Sequence, residues 1–214
     1  MTTLPPTPEH LARPARSPVR AWSDPLRWLV LPWTLLVTYP MILVSTMLFG
    51  TLAVTLSLIS KHLGFHAGVY WARSLTWASW VRVRVEGREL ARPGQSYVIL
   101  SNHQGAFDIL ALYGFLGRQF RWVMKQELRK VPFLGWGCAA IGHIFVDRGN
   151  SARAIASLEA AKSQLAGGVS VLFFPEGTRS ADGRLLPFKK GGFVMARQLG
   201  FPILPVTISG SHRI

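Results

Sequence analysis

The 33 residues from Trp28 to Ser60 contain no charged side chain. As one α-helix they would extend about 50 Å, whereas the hydrocarbon core of a bilayer is about 30 Å thick. Pro40 divides the run, because a proline inside a helix removes a hydrogen bond. Two membrane arrangements follow: one spanning helix over Met41–Ser60, or two shorter helices dipping into one leaflet, which Pro40 favours. A buried hairpin of a soluble protein is the alternative to both.

The chain is basic and apolar at the same time. Its 214 residues carry a net charge of +14, yet only 16% of them are charged and the mean hydropathy is positive. Nucleic-acid binders are usually basic and polar, and neither a zinc-finger spacing nor an aromatic-basic RNA signature is present. The composition therefore favours an anionic membrane surface or a phosphorylated substrate, and no nucleic-acid partner is expected.

The single cysteine limits the redox chemistry of the chain. Cys138 cannot form an intrachain disulfide, which is compatible with a reducing compartment. It lies among glycines and alanines without a basic neighbour, so we interpret it as a small buried filler rather than a nucleophile. No second histidine or cysteine lies at ligand spacing from His103, and no metal site is predicted.

From Val81 onward, apolar runs typical of strands alternate with helical patterns. The segment Val81–Val85 has period two, which predicts an exposed or edge strand. The other predicted strands are Tyr97–Leu100, Arg121–Met124, His143–Val146, Val169–Phe174 and Ile203–Ile208. The predicted helices are Ile109–Leu116, Ser151–Leu165 and Lys190–Leu199. This order predicts an α/β fold: a mainly parallel central sheet flanked by helices and preceded by a membrane-associated helical segment.

Reactive and cationic residues follow the predicted strands. Ligands of parallel sheets bind beyond the carboxyl ends of the strands, so these residues are expected to share one rim. They are Asn102-His103, Lys125, Asp147-Arg148, Glu176-Gly177-Thr178-Arg179 and Ser209-Gly210-Ser211-His212. His103 and Asp108 are five residues apart, and across a strand-loop-helix corner they can meet. The pair is then a candidate general base with its orienting carboxylate.

The cations of this rim suit a phosphate-bearing substrate. The planar fork of Arg179 can grip phosphate, and Lys125 and Arg148 can add positive charge. Backbone N–H groups around Gly177-Thr178 are a candidate anion nest, and Glu176 is expected to accept a hydroxyl or to hold an arginine. By contrast, Lys189-Lys190 is interpreted as a solvated surface pair, and His143 as a core residue.

Five blocks of the sequence, in order, resemble the glycerolipid acyltransferases. The first has the pattern NHxxxxD and the fourth the pattern FPEGTRS. The blocks are Asn102–Asp108, Lys125–Leu128 with Val131–Trp136, Ile144–Asn150, Phe173–Ser180 and Ile203–Ile208. Among these enzymes the chain most resembles the 1-acylglycerol-3-phosphate acyltransferases.

The resemblance implies a reaction. His103, held by Asp108, would deprotonate the sn-2 hydroxyl of the acceptor, and the alkoxide would attack an acyl thioester directly, without an acyl-enzyme or a metal. Glu176 through Arg179, with Lys125 and Arg148, would receive the phosphate-bearing acceptor. The product would be phosphatidic acid. The co-substrate would be acyl-CoA or acyl-carrier protein, and no other cofactor is expected.

Two other functions remain open from the sequence. A related acyltransferase could use glycerol 3-phosphate, a lysophospholipid or an acyl-amino-acid lipid. A non-enzymatic basic membrane-binding module would explain the charge but would leave His103 and Asp108 without a purpose.

The expected domains are a disordered basic tail over residues 1–27, a membrane-associated helical segment over 28–80 and an acyltransferase domain over 81–214. This last domain is expected to be incomplete at its C-terminal end, since relatives continue further. The expected location is the membrane, on the cytoplasmic face of the inner membrane.

Overall fold

The computed structural model describes residues 26–147, 149, 151–162, 165, 167–180 and 182–214. The tail predicted over residues 1–27 lies outside them, apart from Leu26 and Arg27, which begin the first helix. The chain divides into two compact units, Met1–Tyr39 and Pro40–Ile214.

The described part of the first unit is helical. It contains α1 (Leu26–Trp33) and a wide helical turn over Thr34–Thr38. All of α2 except its first residue, Tyr39, belongs to the second unit, together with the elements that follow α2 in the chain. These are α2 (Tyr39–Ile59), α3 (Lys61–Ala78), β1 (Val98–Ser101), α4 (Phe107–Phe115), β2 (Phe120–Lys125), α5 (Leu134–Ile141), β3 (Ile144–Val146), α6 (Ser151–Ala161), β4 (Ser170–Phe173), α7 (Gly191–Leu199) and β5 (Ile203–Val206).

The five strands form one sheet in the order β3-β2-β4-β1-β5, and every neighbouring pair is parallel. Strands β1 and β4 are buried along their whole length, as expected for a sheet covered on both faces. Ile99 packs with α3 and α4 on one face, whereas Val98 and Leu100 pack with α6 and α7 on the other. The predicted α/β fold with a mainly parallel sheet is therefore confirmed.

The predicted strand over Val81–Val85 is wrong. The segment alternates as expected, with half-buried valines and exposed arginines, but it has no ladder partner within the described residues. A cavity of about 1260 Å³ is lined in part by this segment and by the chain from Leu204 to Ser211. Period-two alternation reports which face a side chain occupies, whereas a strand also needs a neighbour for its backbone hydrogen bonds.

Helices α2 and α3 form an antiparallel hairpin. Trp71 Nε1 donates to Thr46 Oγ1 at 3.2 Å, and Gly64 lies so close to Ser57 that a Cβ there would be 2.0 Å from the serine hydroxyl. Ser60 caps α3 by accepting from the His62 N–H at 3.1 Å. The hairpin thus joins the apolar run to the sheet domain.

Most of α2 faces away from the protein. Ala53 is its only buried residue in the described chain. Several large apolar side chains of α2 are more than half exposed: Leu43, Val44, Leu48, Leu58 and Ile59. The continuous helical stretch Leu31–Ile59 is long and apolar enough, by length and composition, to cross a membrane. An exposed apolar face of this extent is unusual for a soluble monomer.

Candidate active site

His103 and Asp108 meet at the carboxyl end of β1. The strand ends at Ser101, a short loop carries His103, and α4 begins at Phe107, which places Asp108 in its first turn. His103 Nδ1 lies 2.8 Å from Asp108 Oδ2. The histidine side chain is 12% exposed and the aspartate is fully buried. The strand-loop-helix corner thus brings the two side chains together, as their spacing predicts.

Asp108 is held by several hydrogen bonds. Besides His103, its Oδ2 accepts from the backbone N–H groups of Gln104 at 2.6 Å and Gly105 at 2.9 Å. Burial by itself raises the pKa of Asp108, but hydrogen bonding by His103, Ser211 and these backbone groups outweighs it and leaves the pKa lowered. Ser211 acts from beyond hydrogen-bond geometry, since Asp108 Oδ1 and Ser211 Oγ have no hydrogen-bond partner among the described residues.

The Asp108 carboxylate determines which tautomer of His103 the hydrogen bond between them favours. A carboxylate can only accept, so Nδ1 of His103 is the donor, and in that neutral tautomer Nε2 presents a lone pair. Within the described residues, no hydrogen-bond partner occupies Nε2. Phe174 stacks on the imidazole, with ring centroids 3.9 Å apart and planes inclined by 10°. The ring is therefore oriented by a hydrogen bond at one edge and by an aromatic face.

The turn after β4 is fastened to the His103 backbone. Glu176 Oε1 accepts from the His103 N–H at 2.8 Å, and the Ser180 N–H donates to the His103 carbonyl at 2.8 Å. Glu176 Oε2 accepts from the Leu186 N–H at 2.8 Å, and the residue is only 3% exposed. Both carboxylate oxygens are thus used inside the protein. The expectation that Glu176 accepts a substrate hydroxyl or holds an arginine does not match these contacts.

The remainder of this turn faces outward. Gly177 has φ +74°, which glycine adopts without strain, while Thr178 and Arg179 are exposed. Lys125 is exposed at the end of β2, the strand beside β4. Arg148 lies outside the described residues. The substrate roles of Lys125, Arg148, Gly177, Thr178 and Arg179 remain predictions.

Asn102 ties β1 to the chain after β5. Its side-chain amide donates to the Ile208 carbonyl at 2.8 Å, and its side-chain oxygen accepts from the Ile208 N–H at 2.7 Å. Asn102, the residue before the histidine, therefore has a structural role. In the described part of the chain, no group of three or more histidine, cysteine, aspartate or glutamate side chains is arranged to hold a metal ion.

The sequence matches the model of one protein family. The model of the acyltransferase family matches residues 82–209, which include the complete His103–Asp108 pair and the turn after β4. The chain belongs to the acyltransferase family.

Relatives within the acyltransferase family share a specific name. A 1-acyl-sn-glycerol-3-phosphate acyltransferase of Chlamydomonas reinhardtii is 32% identical over 84% of this chain and 53% of its own length. The human 1-acyl-sn-glycerol-3-phosphate acyltransferase alpha is 39% identical over 60% of this chain and 46% of its own length. The chain therefore spans only about half the length of these relatives.

A solved structure has the same fold. It is the crystal structure of the 1-acyl-sn-glycerophosphate (LPA) acyltransferase PlsC from Thermotoga maritima, with a TM-score of 0.69 and 29% identity. The match covers 81% of this chain and 72% of that one.

Two contacts near this site were not predicted from the sequence. Phe174 ends a predicted strand and belongs to the fourth block, but nothing in the sequence indicates that its ring faces His103. Lys189 is exposed, which agrees with its interpretation as part of a solvated pair, but the end of its side chain also lies against Gly177. Its only sequence signal is that it follows the FPEGTRS block by nine residues.

Proposed function

We propose that this chain transfers a fatty acyl group from an acyl thioester to the sn-2 hydroxyl of 1-acylglycerol 3-phosphate, giving phosphatidic acid. One observation carries the proposal: the His103–Asp108 pair, whose backbone is fastened to the cation-bearing turn after β4 by two hydrogen bonds of 2.8 Å. A proton acceptor whose backbone is bonded to a turn with an exposed arginine suits a substrate that bears both a hydroxyl and a phosphate. The names of the relatives support the same reaction.

In the proposed reaction His103 acts first as base and then as acid. Nε2 takes the proton of the sn-2 hydroxyl while the oxygen attacks the thioester carbonyl, and Asp108 stabilises the imidazolium through Nδ1–H. The carbon–sulfur bond then breaks, and the thiolate leaves with the proton from Nε2. Oxygen replaces sulfur on the acyl carbon, so neither an acyl-enzyme nor a redox step is needed.

The phosphate of the acceptor is proposed to bind at the turn after β4. Arg179 offers a planar fork for two phosphate oxygens, and Lys125 adds charge from the neighbouring strand. Gly177 and Thr178 contribute backbone to the same turn, and Arg148 is retained as a further cation. Glu176 holds this turn in place, since its carboxylate oxygens accept hydrogen bonds from the backbone N–H groups of His103 and Leu186.

The donor is proposed to be acyl-CoA or acyl-carrier protein, with no further cofactor. The lipid acceptor would be drawn from the bilayer, and the exposed apolar face of α2 is proposed to enter one leaflet. This face adjoins the hairpin contact of Thr46 with Trp71, so part of α2 is committed to protein rather than lipid. We therefore favour insertion of the α2–α3 hairpin into one leaflet over a spanning helix, on the cytoplasmic face of the inner membrane. This differs from the two short helices expected on either side of Pro40, because Pro40 lies within α2.

Assays of the purified protein in detergent test the proposed reaction. The wild type should acylate 1-acylglycerol 3-phosphate in preference to glycerol 3-phosphate or a lysophospholipid. Folded His103→Ala should lose at least about two orders of magnitude in turnover, the scale of a general base. Asp108→Asn should lose most activity, because an amide can present its NH₂ to Nδ1 and favour the wrong tautomer. Near-normal turnover of a correctly folded His103→Ala variant would disprove the mechanism.

A further inference from the structure

Lys189 is held against the turn after β4. A Cβ atom at Gly177 would lie 2.8 Å from Lys189 Nζ, 3.0 Å from Cε and 3.1 Å from Cδ. The end of the lysine side chain therefore covers the face of Gly177 where another residue would carry a side chain. The Lys189 N–H also donates to the Pro175 carbonyl at 2.8 Å, which fixes the start of the side chain to the same turn.

Two further cations lie at the same end of the sheet as this turn. Trp122 of β2 pairs with Leu172 of β4, and counting on equally along both parallel strands brings Lys125 level with Pro175. Arg179 closes the turn and is exposed, as are Lys125 and Lys189.

The charge of these cations is not neutralised by the protein. No ion pair joins Lys125, Arg179 or Lys189 to a carboxylate within the described residues. Glu176, the acidic residue of the turn itself, is buried and uses both oxygens on backbone N–H groups. Asp182, further along the chain, is bonded to Ser180 and Arg184 instead. A cluster of like charges without counter-charge has an unfavourable self-energy that a bound anion relieves.

We infer that Lys189 is a third phosphate-binding cation of the acceptor site, reaching the phosphate past Gly177, which has no side chain to block it. The inference rests on the proposed function and extends it to a residue outside the FPEGTRS block. A compact ammonium makes the same contact with phosphate before and during acyl transfer, so it supplies uniform binding. Its loss should raise the KM for the acceptor and leave kcat nearly unchanged.

The test compares Lys189→Gln with Lys190→Gln, an adjacent exposed lysine at the start of α7. Lys189→Gln should raise the acceptor KM roughly tenfold, with kcat and the donor KM within about twofold of wild type. Lys189→Arg should retain most of the affinity for the acceptor, because arginine keeps the charge. Lys190→Gln should match the wild type. An unchanged acceptor KM in Lys189→Gln, or an equal effect in Lys190→Gln, would overturn the inference.

A binding measurement separates this inference from the proposed reaction. Radiolabelled 1-acylglycerol 3-phosphate would be bound in detergent by folded His103→Ala protein, with and without Lys189→Gln. Weaker binding in the double variant supports the lysine contact even if the wild type proves to acylate another phosphate-bearing acceptor. Equal binding by the two proteins refutes the lysine contact even if the wild type makes phosphatidic acid as proposed.

Discussion

Glu176 Oε1 accepts a hydrogen bond of 2.8 Å from the backbone N–H of His103, a residue 73 positions earlier in the chain. Its other oxygen accepts from Leu186, so one buried carboxylate joins the histidine loop to the chain that leads to Lys189. Burying a carboxylate is costly unless it is hydrogen-bonded, and here both oxygens have backbone partners. We therefore expect Glu176 to position the site rather than to contact the substrate.

Glu176→Gln tests this positioning role. The amide has one accepting oxygen, so its NH₂ group would face a backbone N–H and one hydrogen bond would be lost, at a cost of about 1–3 kcal/mol. Turnover should fall by about one to two orders of magnitude, because His103 is no longer fixed, and the acceptor KM should change little. Glu159→Gln, on the exposed side of α6, is the matched control. A large rise in acceptor KM with normal kcat would instead assign Glu176 to substrate binding.

Arg179→Lys tests the assignment of the phosphate. Lysine keeps the charge but cannot pair two phosphate oxygens with a planar fork, so the acceptor KM should rise by roughly tenfold. The donor KM should move little, and Arg184→Lys, an exposed arginine near Asp182, should be silent. If the donor KM rises while the acceptor KM stays constant, Arg179 binds the phosphates of the donor. The proposed binding positions of donor and acceptor must then be reversed.

The exposed face of α2 can be tested by adding charge. Val44 and Leu48 lie one helical turn apart and are 63% and 56% exposed. Replacing both with aspartate should reduce partition to lipid vesicles at least tenfold, because each apolar side chain buried in lipid is worth about 1.5–3 kcal/mol. Gln198→Asp on α7 controls for the added charge. Unchanged partition of the double variant would show that α2 does not enter the bilayer.

The features that could be predicted from the sequence are those that depend on residues close together in the chain. His103 and Asp108 are five positions apart, and a strand that turns into a helix leaves few ways to arrange them. The parallel sheet was also predictable, because buried parallel strands are continuous apolar runs separated by helices. The ends of the five predicted strands that form the sheet lie within two residues of the observed ones.

The unpredicted parts depend on contacts between distant segments. A sequence does not show whether Glu176 points inward to backbone N–H groups or outward to a substrate. The contact of Lys189 with Gly177 likewise requires the loop from Asp182 to Phe188 to return to the turn after β4. Helix α5 was not predicted, because glycines occupy two of its eight positions and lower its helix propensity.

His143 should make the stability of the fold dependent on pH. The Trp122 N–H donates to its Nδ1 at 3.2 Å and Tyr113 Oη lies 3.0 Å from Nε2, so the ring is neutral and fully enclosed. Burial, with a smaller contribution from the charge of Arg121, lowers the pKa of His143 to about 3. Between that pKa and the ordinary value of 6.5, the unfolded chain binds a proton at this site and the folded chain does not. Stability is therefore lost as the pH falls through this window.

The expected loss is about 2 kcal/mol between about pH 8 and about pH 5, since each pH unit below the unfolded pKa contributes about 1.4 kcal/mol. Urea unfolding in detergent, followed by tryptophan fluorescence, would measure it. In His143→Gln the side-chain oxygen can still accept from Trp122, but the titrating group is absent, so this part of the pH dependence should disappear. The lowered pKa of Asp108 acts below about pH 4. The pKa of His66 is also lowered by burial, but His66 is present in both proteins, so its contribution cancels in the comparison. Identical pH slopes for wild type and His143→Gln would mean that His143 does not stay neutral in the folded protein.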